Sequence, residues 1–273
     1  MKIAQFYDND QIRLGLIHDQ GLIPLNFDGD MIDFICARAP IKTVKSSPIP
    51  VKDVKFAPPI SRPSKIIALG LNYRDHAEET KGKIPDQPLI FSKFPNSLIG
   101  CYDHITWNSN LTKKVDFEAE LAVIIGKTAR NFSEKMAMDA VFGYTCANDV
   151  SARDLQFGDG QWVRGKSLDT FCPIGPWIVN PEEIPDPHSL KIRCVLNGEL
   201  MQDSSTSRMI FKLPFIISFL SRHFTLFPGD IILTGTPHGV GAFREPSVYL
   251  EDGDEVAVEI ELIGRLINTC HIQ

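Results

Sequence analysis

Val115-Asp116-Phe117-Glu118-Ala119-Glu120-Leu121-Ala122-Val123-Ile124-Ile125-Gly126 decides how this chain is read. Successive side chains of a strand point to opposite faces, so Asp116, Glu118, Glu120, Ala122 and Ile124 share one face. Glu118 and Glu120 then stand roughly 6.5–7 Å apart, two strand rises. That face turns apolar at Ala122, and the opposite face, Phe117 to Ile125, is apolar throughout. A segment apolar on both faces is normally buried on both. Carboxylates carried into such a place need a positive partner, and a divalent cation is the obvious one. The competing reading is an exposed acidic end of an antiparallel strand, because buried charge is uncommon.

The chain around this stretch has 273 residues, enough for one large domain or one plus a small appendage. Hydrophobic content of 43% and charged content of 23% are ordinary for a soluble globular protein. A net charge of −6 without any basic cluster argues against a nucleic-acid partner. Met1 to Asp8 has no apolar core of a signal peptide, and Met209 to Leu220 is too short to span a bilayer. Cys36, Cys101, Cys146, Cys172, Cys194 and Cys270 show no metal-site spacing. They fit reduced thiols better than zinc or a disulfide framework. The expectation is a soluble, cytoplasmic protein with no membrane partner.

Residues 1–57 read as a small β-rich unit. Ile3–Tyr7, Gln11–Leu16 and Gly21–Leu25 are short strands divided by turn signals, and Asp30 to Arg38 suits a short helix. Pro40 to Pro63 holds six prolines, which suits a linker or strap. Residues 63–273 read as the second and larger domain. There Asn72 is placed to cap a helix over Tyr73–Lys81 that stops at Gly82. A second helix is expected over Ser133–Phe142, closed by Gly143, and a third runs from Pro214 to about His223. Ile231–Thr234 and a long Glu255–Ile263, turning at Gly264, are strands. Long strands, few helices and no regular βαβ alternation predict a β-dominated α+β fold.

One motif misleads. Gly160-Gln161-Trp162-Val163-Arg164-Gly165-Lys166-Ser167 matches the phosphate-binding loop pattern. The chemistry of that loop needs a strand before it, a helix after it, and backbone free to wrap phosphates. Trp162 and Arg164 fill the loop and Pro173 follows closely, so no nucleotide is expected. Asn148-Asp149 ends the apolar run Val141–Ala147, where Asp149 either projects into a site or caps a turn. With Glu118 and Glu120 it makes an oxygen-only set that suits Mg²⁺ or Mn²⁺. Thr234-Gly235-Thr236-Pro237-His238-Gly239-Val240-Gly241 is either a plain Gly-rich turn or a cradle whose amides hold a carboxylate. His76 lies on the Tyr73–Lys81 helix with Glu79 and Thr80 one turn on, where a lone histidine is usually a surface residue.

Gly70-Leu71-Asn72-Tyr73-Arg74-Asp75-His76, Phe91-Ser92-Lys93, Asp116 to Leu121, Asn148 to Asp154, Gly165-Lys166-Ser167-Leu168-Asp169 and Gly229 to Gly241 together resemble the fumarylacetoacetate hydrolase family. The six motifs stand in the family's order over about 65–250, and the likeness extends through the C-terminal strands. It implies a β-sandwich roll, usually a homodimer, that uses Mg²⁺ or Mn²⁺ on small 2-oxo acids. By motif, Glu118, Glu120 and Asp149 resemble the metal ligands. Lys166 resembles the lysine beside the substrate oxyanion, and His76 the histidine that activates water. Lys93, Arg153, Gln156 and Thr236 resemble substrate-pocket residues. The family's hydrolases pair the histidine with a glutamate that often directly precedes the proline before Phe-x-Lys. Here Gln87 holds that position before Pro88, which leaves Glu79 or Asp86 as substitutes.

The leading expectation is hydrolysis of a C–C bond in an acylpyruvate-type substrate. Oxaloacetate decarboxylation and hydroxymuconate-type isomerisation or hydration follow closely. A non-catalytic, metal-stabilised binding protein is the contrasting class.

Overall fold

The computed structural model describes residues 1–273. The opening stretch forms two strands, Val115–Asp116 and Ala119–Ile125, where one continuous strand was expected. The interruption has a cause. The amide of Glu118 is taken by the Asn148 side-chain oxygen at 2.9 Å, and that of Ala119 by Gln202 at 2.9 Å. Side chains thus satisfy donors that a ladder would otherwise hold. The alternation survives. Phe117, Ala119, Leu121, Val123 and Ile125 enter one core, whereas Ala122 and Ile124 enter another. Asp116, Glu118 and Glu120 are all buried, which excludes an exposed acidic end.

Ala119–Ile125 lies inside a ten-stranded sheet, antiparallel to Val141–Asn148 on one side and Ile231–Leu233 on the other. A five-stranded sheet covers one face, in the order Glu199–Ser205, Lys191–Leu196, Glu255–Ile260, Gly264–Ile272 and His104–Trp107. Ile192, Cys194, Val256 and Val258 from that sheet share a core with the odd-numbered residues of Ala119–Ile125. Across the large sheet, Met31, Phe34 and Ile35 of the helix Met31–Ala37 share the second core with Ala122 and Ile124. Each large apolar side chain buried this way contributes about 1.5–3 kcal/mol. The architecture is the sheet-rich α+β sandwich expected from the sequence.

The strands Lys2–Asp8, Gln11–His18 and Gly21–Pro24 form a meander at one edge of the large sheet. Lys2 and Ile3 pair with Val179 and Ile178, so these strands continue that sheet. Asp30 caps Met31–Ala37 by accepting the Asp33 amide at 3.0 Å.

Four local expectations are corrected. Asn72 does not cap the second helix, Arg74–Glu79, because its side chain bonds the Thr234 carbonyl (2.8 Å) and the Phe211 amide (2.8 Å). That helix ends with Lys81 in the left-handed region at φ +50°, one residue before Gly82. Helical turns after Ser133 stop at Ala140, and Gly143 lies within the strand Val141–Asn148. A Cβ there would sit 2.4 Å from Ile178 and 2.5 Å from the Val179 carbonyl. The last hairpin turns at residues 261–263, before Gly264, which begins the final strand. The helix Leu213–His223 carries Pro214 in its first turn, as expected. No helix is long and apolar enough to cross a membrane.

Candidate active site

The large sheet carries its carboxylates at strand ends. Glu118 sits in the break before Ala119–Ile125, Glu120 is the second residue of that strand, and Asp149 follows Val141–Asn148. One carboxylate oxygen from each lies within 4.8 Å of the others, and all three side chains are buried. Lys166, at the end of the short helix Val163–Lys166, donates to Glu118 at 2.8 Å and to Asp149 at 2.7 Å. Lys93 donates to the other Asp149 oxygen at 2.6 Å and to the Val150 carbonyl at 3.1 Å. Its ammonium therefore fixes Asp149 from behind and does not border the cavity, unlike the pocket role its motif suggests.

Arg153 begins the helix Arg153–Asp159 and is buried between two acids. Its Nη1 lies 2.7 Å from Glu118, and its Nε donates to Asp116 at 2.8 Å. Nη1 also donates to Gln156 at 3.0 Å, one turn along the same helix face. Four carboxylates (Asp116, Glu118, Glu120, Asp149) thus meet three cations (Lys93, Arg153, Lys166), leaving one net negative charge.

The imbalance falls on Glu120, whose hydrogen bond comes from the Gly235 amide at 2.7 Å. Burial, and then the charges of Asp149 and Glu118, push its carboxyl well above the usual carboxylate range. Burial also opposes ionisation of Glu118, but the Lys166 ammonium and the Arg153 guanidinium outweigh it and hold that carboxyl at about 2. Burial disfavours the Lys166 charge too, yet Asp149 and Glu118 raise its pKa and keep it an ammonium. A buried, uncompensated carboxylate within reach of two others, with no His or Cys among them, fits a hard divalent cation such as Mg²⁺ or Mn²⁺.

His76, Glu118, Arg153, Gln156, Lys166 and Thr236 border one cavity of about 260 Å³. His76 is buried, its ring edge-on to Phe243 with centroids 5.8 Å apart. Its Nδ1 lies 2.8 Å from Glu79. Asp86 sits on the surface 3.9 Å from Lys83, and Gln87 is exposed. The acid beside the histidine is therefore Glu79.

The Gly-rich segment does hold carboxylates, but they are the protein's own. The amides of Gly235, Gly239 and Gly241 donate to Glu120, Glu79 and Asp116 at 2.7, 2.8 and 2.8 Å. A Cβ on Gly241 would sit 1.8 Å from the Val248 carbonyl, so only glycine allows that approach. Thr236 accepts a hydrogen bond from Gln202 at 2.9 Å. Asp116 and Gln202, which position the site from behind, carry no local sequence signal of that role. The Gly160–Ser167 segment follows a helix instead of a strand, and Lys166 turns inward to the carboxylates. It is not a phosphate loop.

Residues 65–271 match the model of the fumarylacetoacetate (FAA) hydrolase C-terminal family. A mitochondrial oxaloacetate tautomerase of Rattus norvegicus is 50% identical over 221 residues, 81% of this chain and 70% of its own. Among solved structures, the fumarylacetoacetate hydrolase of psychrophilic Exiguobacterium antarcticum superposes with a TM-score of 0.91 at 37% identity, covering 100% of both chains. The 2-hydroxyhepta-2,4-diene-1,7-dioate isomerase of Mycobacterium marinum does so with a TM-score of 0.84 at 35% identity, covering 100% of this chain and 99% of its own.

Proposed function

The chain belongs to the fumarylacetoacetate hydrolase family, and from that premise we propose that it is a Mg²⁺- or Mn²⁺-dependent enzyme that interconverts the keto and enol forms of oxaloacetate or a similar small 2-oxo acid. The observation that carries this reading is one cavity bordered by His76, whose Nδ1 is paired with Glu79 behind it, and by a fixed ammonium beside the acidic trio. Glu118, Glu120 and Asp149 would hold the ion. When bound, it would supply a Lewis acid that polarises the 2-oxo carbonyl of the substrate.

The protein's own groups do the proton work. Glu79 on Nδ1 keeps the His76 proton there and leaves Nε2 free to accept one. Nε2 takes a proton from C3, the C–H pair becomes the C2–C3 double bond, and the carbonyl electrons move to oxygen. Lys166 faces that developing charge as a permanent cation, a preorganised interaction that strengthens only as the charge appears. The proton now on His76 passes to that oxygen, which completes the enol and returns the imidazole to its neutral form. Arg153 and Gln156 at the cavity wall orient the remaining carboxylate.

Hydrolysis of an acylpyruvate is the second reading, because the same His76–Glu79 pair suits activation of a water. The name of the Exiguobacterium neighbour favours it, whereas those of the rat and mycobacterial proteins favour proton transfer. Decarboxylation of oxaloacetate would use the same enolate. A homodimer remains part of this proposal.

The test follows enol absorbance of freshly dissolved oxaloacetate together with pyruvate release, with Mn²⁺ and with EDTA. Metal-dependent decay of the enol without pyruvate supports tautomerisation. Pyruvate released in step with turnover of oxaloacetate or acylpyruvates supports C–C cleavage. Inertness towards every 2-oxo acid would leave a metal-stabilised binding protein.

A further inference from the structure

Two cavities meet at Trp162. The active-site cavity, about 260 Å³, lies on one side. On the other, an apolar groove of about 600 Å³ runs along the strand Leu89–Lys93, walled by Ile67, Leu89, Ile90, Val163 and Phe224. Phe91 and Trp162 border both spaces. Their rings meet edge to face, with centroids 5.3 Å apart and planes at 68°. The Lys166 ammonium lies 5.1 Å from the Phe91 ring centroid, so this wall stands one ring away from the charge beside Glu118 and Asp149.

The indole reaches this position because residue 70 is glycine. A Cβ at Gly70 would sit 2.5 Å from Cζ3 and 2.9 Å from Cη2 of Trp162, closer than packed atoms approach. Gly70 itself borders the active-site cavity. That cavity is smaller than the roughly 300–1,000 Å³ typical of ligand sites, and joined to the groove it would fall well inside that range.

We infer that Trp162, seated on Gly70 and braced by Phe91, is the residue that limits substrate length. Its indole closes the active-site cavity against the apolar groove and restricts the enzyme to short 2-oxo acids. Removing it lets an unbranched apolar tail pass from the cavity into the groove. This rests on the 2-oxo-acid reading above for the head group and concerns only where the tail goes.

The test uses N-alkyl oxamates, methyl to hexyl, as non-reacting 2-oxo-acid mimics, titrated calorimetrically into the full-length protein with Mn²⁺. Each affinity is taken relative to unsubstituted oxamate in the same protein. Wild type should bind the shortest members and lose affinity as the chain grows. Trp162→Ala should gain roughly fourfold per added methylene, the transfer free energy of one buried CH₂. Trp162→Leu, which keeps an apolar side chain there, serves if the alanine variant does not fold. Gly70→Ala, which must displace the indole, should relax the length limit in part. Identical length profiles in wild type and the folded Trp162 variants would overturn the inference. Should no oxamate bind even wild type, the 2-oxo-acid reading falls on its own. The crystal structure of the Trp162 variant then decides the partition. One continuous cavity supports it, and collapse of Phe91 or Leu89 into the gap overturns it.

Discussion

Nδ1 of His76 lies 2.8 Å from one carboxylate oxygen of Glu79, and the amide of Gly239 donates to the other at 2.8 Å. The two residues are one turn apart on the helix Arg74–Glu79, where i and i+3 side chains are neighbours. The helix therefore supplies both the proposed base and the carboxylate paired with it. The Gly-rich segment after Ile231–Leu233 locks the pair to the body of the protein. The exposed Gln87, which stands where hydrolases of this family often carry an acid, has no part in it.

Glu79→Ala should lower kcat by about 10–100-fold, the usual cost of losing a group that orients a functional histidine. His76→Ala should cost about 10²–10⁴-fold, as loss of a general base does. The double variant should fall no further than His76→Ala, because the two act as one unit. Asp86→Ala, on the surface, should leave kcat unchanged. Additive losses in the double variant would mean that Glu79 acts somewhere other than through His76.

In the metal-free protein two acids pull stability in opposite directions with pH. Glu118, held at about 2 against an ordinary 4.5, contributes stability that is fully present above the ordinary value and is lost as pH falls towards 2. Glu120 is raised by burial and by Asp149 and Glu118, so its contribution is present below 4.5 and fades as pH climbs. Glu120→Gln should therefore raise the Tm measured in EDTA at mildly alkaline pH but not at acidic pH. The scale is about 2–4 °C per kcal/mol for a chain of this size class. Mg²⁺ or Mn²⁺ should reverse the order. Wild type gains about 2.7 kcal/mol at a hundredfold excess over Kd, and the variant, short of a ligand, gains less. A lower Tm for Glu120→Gln in alkaline EDTA would contradict the picture of an uncompensated carboxylate.

The period-two pattern from Phe117 to Ile125 was readable because each parity enters a separate core, one under the five-stranded sheet and one under Met31–Ala37. The carboxylate trio was readable for the same reason, since Glu118 and Glu120 share a parity and Asp149 directly follows the neighbouring strand. What escaped reading depends on partners distant in sequence. The strand breaks at Phe117 and Glu118 because Asn148 and Gln202, 30 and 83 residues on from the amides they bind, take those donors. Asn72 looked like a local cap, yet its acceptors and donors sit near Phe211 and Thr234. The glycines of the 234–241 segment looked free to hold a ligand, whereas Glu120, Glu79 and Asp116 already occupy their amides.

Gly165 belongs to a pattern that suggests phosphate, but its neighbours explain it otherwise. A Cβ there would lie 2.7 Å from the Gln156 amide nitrogen and 2.8 Å from the Ala152 carbonyl, both backbone atoms that cannot turn aside. Gly165→Ala should destabilise the protein by about 1–3 kcal/mol, the usual cost of overpacking. ATP without divalent metal should leave the Tm of wild type unmoved. A rise with ATP would restore a nucleotide site to this segment.

In the proposed reaction Lys166 and His76 divide the chemistry by charge. Asp149 and Glu118 favour the ammonium form of Lys166 despite its burial, so the proposed reaction assigns proton removal from C3 to His76. The measurement is washout of deuterium from C3 of labelled pyruvate with Mn²⁺ present, which needs the proton step alone. His76→Ala should slow washout by about 10²–10⁴-fold. Added imidazole should restore part of it, because the variant leaves a cavity beside intact charges. Lys166→Met should also slow washout, since it removes the cation facing the developing oxyanion. Imidazole should not rescue that variant, and Lys166→Arg should retain more activity than Lys166→Met by keeping the charge. If His76→Ala exchanges deuterium at the wild-type rate, another group is the base and the proton-transfer assignment fails. If imidazole rescues Lys166→Met as well as His76→Ala, Lys166 is acting in proton transfer and the division by charge is wrong.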